Sequence, residues 1–133
     1  MATILLVAAE RMEFTGLVRR IGGERLDWPL DFARLARLPG RRLLVAANGA
    51  GPARAAEAVR VAAVREQFDL VASVGFCGSL DATLRAGEIV VADRVEALAS
   101  GESFPTADRI VPHGGACRVC ARLRHIHRRS HGH

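Results

Sequence analysis

The sequence predicts an α/β protein whose sheet has parallel members. Three observations carry that expectation. Apolar runs of strand length recur along the chain, a helical spacing follows the first two of them, and glycine-bearing turns join the pieces.

The first run is Thr3-Ile-Leu-Leu-Val-Ala-Ala9, long enough for a strand and too short to span a bilayer. From Glu10 the pattern changes. Met12, Leu17, Val18 and Ile21 recur at helical spacing until Gly22-Gly23 ends the element. Between Asp27 and Pro39, the spacing of Phe32, Leu35 and Leu38 predicts a helix of about two turns, bounded by Pro29 and the Pro39-Gly40 pair.

Arg42 to Ala47 makes a second strand. Asn48-Gly49-Ala50-Gly51 leads from it into a helix that Pro52 opens at its first turn and that runs to about Gln67. Asp69 to Val74 is a third strand, whose unbroken apolar run predicts burial on both faces. A fourth, Glu88 to Ala92, follows the turn at Ala86-Gly87. In sheets of this kind ligands sit beyond the carboxyl ends of the strands. The loops around Glu10 to Glu13, Gly49 to Gly51 and Gly75 to Gly78 are therefore expected on one edge.

With 133 residues, half of them hydrophobic, the chain suits one domain with a sizeable core. Up to Pro112 the arginines and carboxylates balance, so the surplus of +5 lies wholly beyond that residue. Scattered arginine of this kind forms solvated surface, and a nucleic-acid partner is not expected. The three cysteines cannot form a fully paired disulfide framework, and the apolar setting of Cys77 suits a reduced, buried thiol. With no membrane span and no signal peptide, a cytoplasmic protein is expected.

From His113 the texture changes: the last stretch holds all 5 histidines and no carboxylate. Residues 1–112 are thus read as the folded part and 113–133 as an Arg/His/Cys-rich tail outside it, disordered or shifted out of frame near Pro112. Two thiolates and two imidazoles in this tail, Cys117, Cys120, His125 and His131, could satisfy tetrahedral zinc, although their spacing departs from common fingers. Without that geometry the expected metal is none.

Several chemistries are excluded. Gly49-Ala-Gly51-Pro-Ala-Arg54 begins like a dinucleotide fingerprint, but Arg54 replaces the third glycine. Asp69 begins the following strand, whereas a ribose-binding acid should end it. Cys77 has no histidine before residue 113 to activate it, and Gly101-Glu-Ser103-Phe-Pro105 lacks the closing glycine of a nucleophile elbow. Glu13, one turn into the first helix, reads either as a general acid or base beside a site or as a solvated carboxylate favoured by the helix dipole. In the same way Gly75-Phe76-Cys77-Gly78 reads either as a glycine turn with core side chains or as a close-approach loop whose Phe76 stacks on a flat base.

The order of these pieces resembles the purine and uridine phosphorylase superfamily. The resemblance covers about Thr3 to Val95, through Ala9-Glu10-Arg11-Met12-Glu13, Gly49-Ala50-Gly51 and the block from Ser73 to Asp93. The wording Gly-Phe-Cys-Gly is most similar to that of the hopanoid-associated phosphorylases, thought to release adenine from an adenosyl-hopane intermediate. The resemblance implies a three-layer α/β/α fold, represented by its N-terminal half, and cleavage of a purine ribosyl C–N bond through an oxocarbenium-like transition state. It implies no organic cofactor, with water or phosphate as co-substrate, a purine nucleoside as ligand and a homo-oligomer for the full-length family.

Carried over by position, Glu13 resembles the carboxylate that handles the nucleophilic water. Gly75, Phe76, Cys77 and Gly78 resemble the segment along the nucleoside, and Ala9 and Ala50 line the same pocket. Hexameric phosphorylases carry an Arg and a Ser for phosphate where this chain has Ser73 and Phe76, so two charge-assisted contacts are absent. No residue matches the ribose-gripping Glu or the base-protonating Asp that the family places further on, Asp108 included. The chain alone is therefore expected to be nearly inactive. The rival expectation is a non-catalytic binding fragment whose basic tail contacts zinc or nucleic acid.

Overall fold

The computed structural model describes residues 1–80, 82–92, 94–97 and 99–106, together with the backbone of 117–120 and 123–125. The chain divides into two compact units, Met1–Gly78 and Ser79–His133.

The first unit is built on a five-stranded sheet. Strand β1 (Ala2–Ala8) lies between β4 (Arg41–Ala47) and β5 (Leu70–Ser73), parallel to both, while β3 (Phe32–Leu38) and β2 (Glu24–Arg25) extend the sheet antiparallel beyond β4. Alternation along each strand sends side chains to both faces. On one face Leu5, Val7, Leu35, Leu44 and Ala46 pack against Ala58 and Ala62 of helix α2 (Pro52–Arg65). On the other Ala8, Ala36, Leu43, Val45 and Ala47 meet Phe14, with Leu17, Val18 and Ile21 of helix α1 (Thr15–Ile21) beside them. A helix on each face of the sheet gives the expected three layers.

Two apolar runs behave differently from their patterns. Phe32 to Leu38 is not a helix but strand β3, paired with β4 from Phe32↔Ala47 to Leu38↔Arg41. Pro39 and Gly40, the latter at φ 73°, form the two-residue turn between the strands. Proline and a positive-φ glycine at those two positions are what a type II turn requires, so the pair reverses the chain where the spacing suggested the end of a helix. Ala33 and Ala36 are buried, so both faces of this segment are covered and the three-residue spacing of its large side chains carries no helical meaning. Strand β5, expected to be buried on both faces, alternates between half-buried and exposed, because among the described residues it pairs with β1 alone and forms the edge of the sheet.

Helix α2 ends at Arg65, and Met12, expected on the apolar face of the first helix, is exposed. Residues Arg11–Phe14 form a 3-10 turn, which places Phe14 in the core instead at 1% exposure, its ring stacked 6.2 Å from that of Phe32.

In the second unit β6 (Ile89–Ala92) follows the turn at Gly87, as expected, and pairs in parallel with β9 (Cys117–Cys120). Strand β7 (Arg94–Ala97) pairs antiparallel with β8 (Ser103–Pro105) and parallel with β10 (Leu123–His125). Strands β9 and β10 lie in the Arg/His/Cys-rich stretch, to which its apolar pattern assigned no element; ladder pairing uses backbone groups and does not need such a pattern. No helix among the described residues is long and apolar enough to cross a membrane.

Candidate functional site

The three adjacent parallel strands β4, β1 and β5 deliver their following loops to one edge of the first unit. Backbone bonds continue past the strand ends: Val74 N–H donates to the Val7 carbonyl at 2.9 Å, and Gly49 N–H to the Ala9 carbonyl at 2.8 Å. The loops expected to converge do so, with Ala9 between the other two.

Glu13 is the centre of this edge. Its Oε2 accepts the Glu10 N–H at 2.9 Å, closing the 3-10 turn on itself. Its Oε1 accepts the Phe76 N–H at 3.1 Å, across 63 residues of sequence. One carboxylate therefore fixes the loop after β1 and grips the loop after β5. With one backbone N–H donor at each oxygen, the carboxylate still has lone pairs on both to accept a hydrogen bond from a ligand or water. Glu13 does stand in the first turn, as the helix-start reading expects, and its side chain caps the Glu10 amide there; it is half-buried rather than fully solvated, and the contact with Phe76 is what that reading lacks.

Gly75, Phe76, Cys77 and Gly78 are all exposed, Phe76 at 80%. This corrects the expectation of a buried Cys77 thiol: the loop leaves the sheet from its edge strand, so neither helical layer of this unit covers it. Phe76 likewise is not a core side chain, and its ring faces solvent with only its amide fixed. An exposed phenyl ring next to a held carboxylate can cover a flat heterocycle.

The loop after β4 is held by different means. The Arg54 guanidinium donates to the Asn48 carbonyl at 3.3 Å, and the Asn48 side-chain amide donates back to the Arg54 carbonyl at 3.1 Å. Gly49 and Gly51 take φ of 93° and 107°, which other residues rarely adopt, and Ala50 is exposed between them. The sequence pattern treated Arg54 as a departure from a glycine fingerprint; in the structure it is the residue that closes the loop. The signal for it was the Asn48-to-Arg54 spacing across a turn into a helix, which resembles no recurrent motif.

Among the described residues no group of three or more His, Cys, Asp or Glu could hold a metal. Of the zinc candidates, the side chains of Cys117, Cys120 and His125, and the whole of His131, lie outside the described residues.

Comparison with known proteins gives a family and a fold. The model of the phosphorylase superfamily matches residues 30–131. No curated protein matches the chain significantly. Among solved structures, the chain is similar to a 5′-methylthioadenosine/S-adenosylhomocysteine nucleosidase from Colwellia psychrerythraea 34H in complex with adenine, at 23% identity and a TM-score of 0.70, over 80% of this chain and 51% of that one. It is similar to the nucleosidase of Neisseria meningitidis in complex with methylthio-immucillin-A, at 22% identity and a TM-score of 0.64, over 73% of this chain and 42% of the other. A third likeness is to the Streptococcus pneumoniae enzyme in complex with 8-aminoadenine, at 20% identity and a TM-score of 0.64, over 82% and 51% of the two chains. At these identities the likeness is one of fold, and the chain spans about half the length of the structures it matches.

Proposed function

The chain belongs to the phosphorylase superfamily, and from that premise we propose that it takes part in cleaving the ribosyl C–N bond of a purine nucleoside, with the edge built on Glu13 as the nucleophile side of the site. The observation that carries this reading is the double anchorage of Glu13 on the Glu10 and Phe76 amides. A carboxylate held in this way accepts a proton from an attacking water while the water oxygen bonds to the anomeric carbon and the C–N electron pair leaves with the base. Phosphate in place of water would need cationic contacts that Ser73 and Phe76 do not supply. Water is thus the favoured co-substrate.

Phe76 and the backbone of Gly75, Cys77 and Gly78 line the nucleoside on the β5 side, with Ala9 and Ala50 beside it. The adenine-type ligands of the fold neighbours support a purine as the base. The adenosyl-hopane substrate of the hopanoid-associated group is the finer form of this proposal, carried by the Gly-Phe-Cys-Gly wording. A cytoplasmic location and self-association of the full-length family are further parts of the proposal that do not rest on that wording. No residue of the 133 matches the family's base-protonating Asp. General acid catalysis contributes typically ~10²–10⁴-fold, so these residues alone are expected to turn over nucleosides slowly.

Binding therefore decides before turnover does. Calorimetric titration with adenine is expected to show saturable binding that weakens on Phe76→Ala. Absence of binding to the folded chain, or binding indifferent to Phe76, would sink the reading.

A further inference from the structure

Two of the site's glycines stand against charged side chains, for different reasons. Gly49 has a φ of 93°, so its backbone alone disfavours a side chain. Gly75 has no such φ, and another residue could adopt its backbone conformation. What a side chain would meet there is Glu13: an added Cβ would lie 2.6 Å from Oε1 and 3.4 Å from the carboxylate carbon. Gly78, three residues on in the same loop, also has an unremarkable φ and has nothing within 4 Å of its added Cβ.

We infer that Gly75 is a positioning residue. Its missing side chain is the space in which the Glu13 carboxylate docks on the peptide joining residues 75 and 76. This deepens the proposed function and rests on it for its catalytic meaning, because the direction in which Glu13 presents its free lone pairs is then set from the loop after β5. The Phe76 N–H supplies the attraction and Gly75 the room. A methyl group at 75 leaves the loop's backbone allowed but pushes Oε1 off the Phe76 amide. The carboxylate then keeps only the local Glu10 N–H, and its orientation toward a ligand is no longer tied to β5.

Amide-proton NMR on the ligand-free chain reads this directly. In the wild type the Phe76 and Glu10 amide protons are expected downfield, both moving upfield when acid protonates Glu13 and both lost as a downfield pair in Glu13→Ala. Gly75→Ala is expected to lose the Phe76 signal and its response to acid while keeping that of Glu10, whereas Gly78→Ala keeps both. Retention of the Phe76 response in Gly75→Ala would overturn the inference, as would equal loss in Gly78→Ala. A sheet spectrum unchanged from the wild type guards against misfolding. Should Gly75→Ala fail to fold, the double variant Gly75→Ala with Glu13→Ala, which removes the carboxylate that the added methyl meets, is expected to fold as Glu13→Ala does, and continued failure would count against the inference. Added adenine separates the two claims. With the Phe76–Glu13 signature intact, no binding sinks the nucleoside reading and leaves the positioning of Glu13 standing. Adenine that binds without moving the Phe76 resonance overturns the link between this contact and the pocket.

Discussion

Strands β4 and β5 flank β1 on either side, run parallel to it and carry similar apolar sequences, yet only β4 is enclosed. Leu43 to Ala47 are buried without a break, while along β5 Val71 and Ser73 are exposed. The difference lies in their neighbours. Strand β4 has β3 on its far side and helical layers above and below; β5, among the described residues, has β1 alone. A continuous apolar run thus records the surroundings a strand is suited to, and the chain around it determines how much of that surface is covered.

Substitutions measure this contrast. Leu44→Ala, at a position with no exposure, is expected to cost about 2–5 kcal/mol in urea denaturation, through lost burial and the cavity left behind. Next comes Asp69→Ala at the start of β5. The Asp69 Oδ2 accepts the Thr3 N–H at 2.7 Å, and its own N–H donates to the Thr3 carbonyl at 2.8 Å. Removing the carboxylate leaves the buried Thr3 amide unpaired, for about 1–3 kcal/mol by the same measurement. Val71→Ala, at 40% exposure, is expected to cost about 1 kcal/mol or less. A loss as large as that of Leu44→Ala would break the comparison, since it would mean that β5 is covered in solution.

The smallest effect is expected on the outer face of α2. There Arg60 pairs with Glu57 at 2.6 Å, and its hydrogen bond holds the Glu57 carboxyl below its usual range. A lowered carboxyl pKa stabilises the fold above the ordinary glutamate range and loses that contribution as the pH falls through the lowered value. Both side chains are open to solvent over much of their surface, so Arg60→Ala should leave the thermal midpoint at neutral pH unchanged within error. A measurable drop that disappears in acid would show the pair to be shielded.

Much of this architecture was legible in the sequence because its signals were local. Thr3 to Ala9, the Pro52 helix start and the glycine turns each announce an element by composition alone. The segment Phe32 to Leu38 was misread because its large residues fall at helical spacing, while the two alanines that complete its strand alternation carry little weight in such a pattern. The exposure of Phe76 and Cys77 could not be read, because an apolar side chain in a glycine loop looks the same whether or not another layer lies over it. The candidate site was legible as three loops on one edge. The grip of Glu13 on Phe76 was not, because nothing in residues 10–13 points to a partner 63 positions away.

That separation couples the site to the edge of the sheet. The ladder between β1 and β5 ends at Val7↔Ser73, is extended by the bond from Val74 to Val7, and two residues later reaches the Phe76 amide on Glu13. A fluctuation that peels the carboxyl end of β5 from β1 also takes the Phe76 amide from the carboxylate and leaves it only the local Glu10 N–H. The opening of an edge strand and the loss of the site's geometry are then one equilibrium, and whatever pairs with or covers β5 raises the fraction of molecules in which Glu13 is aimed.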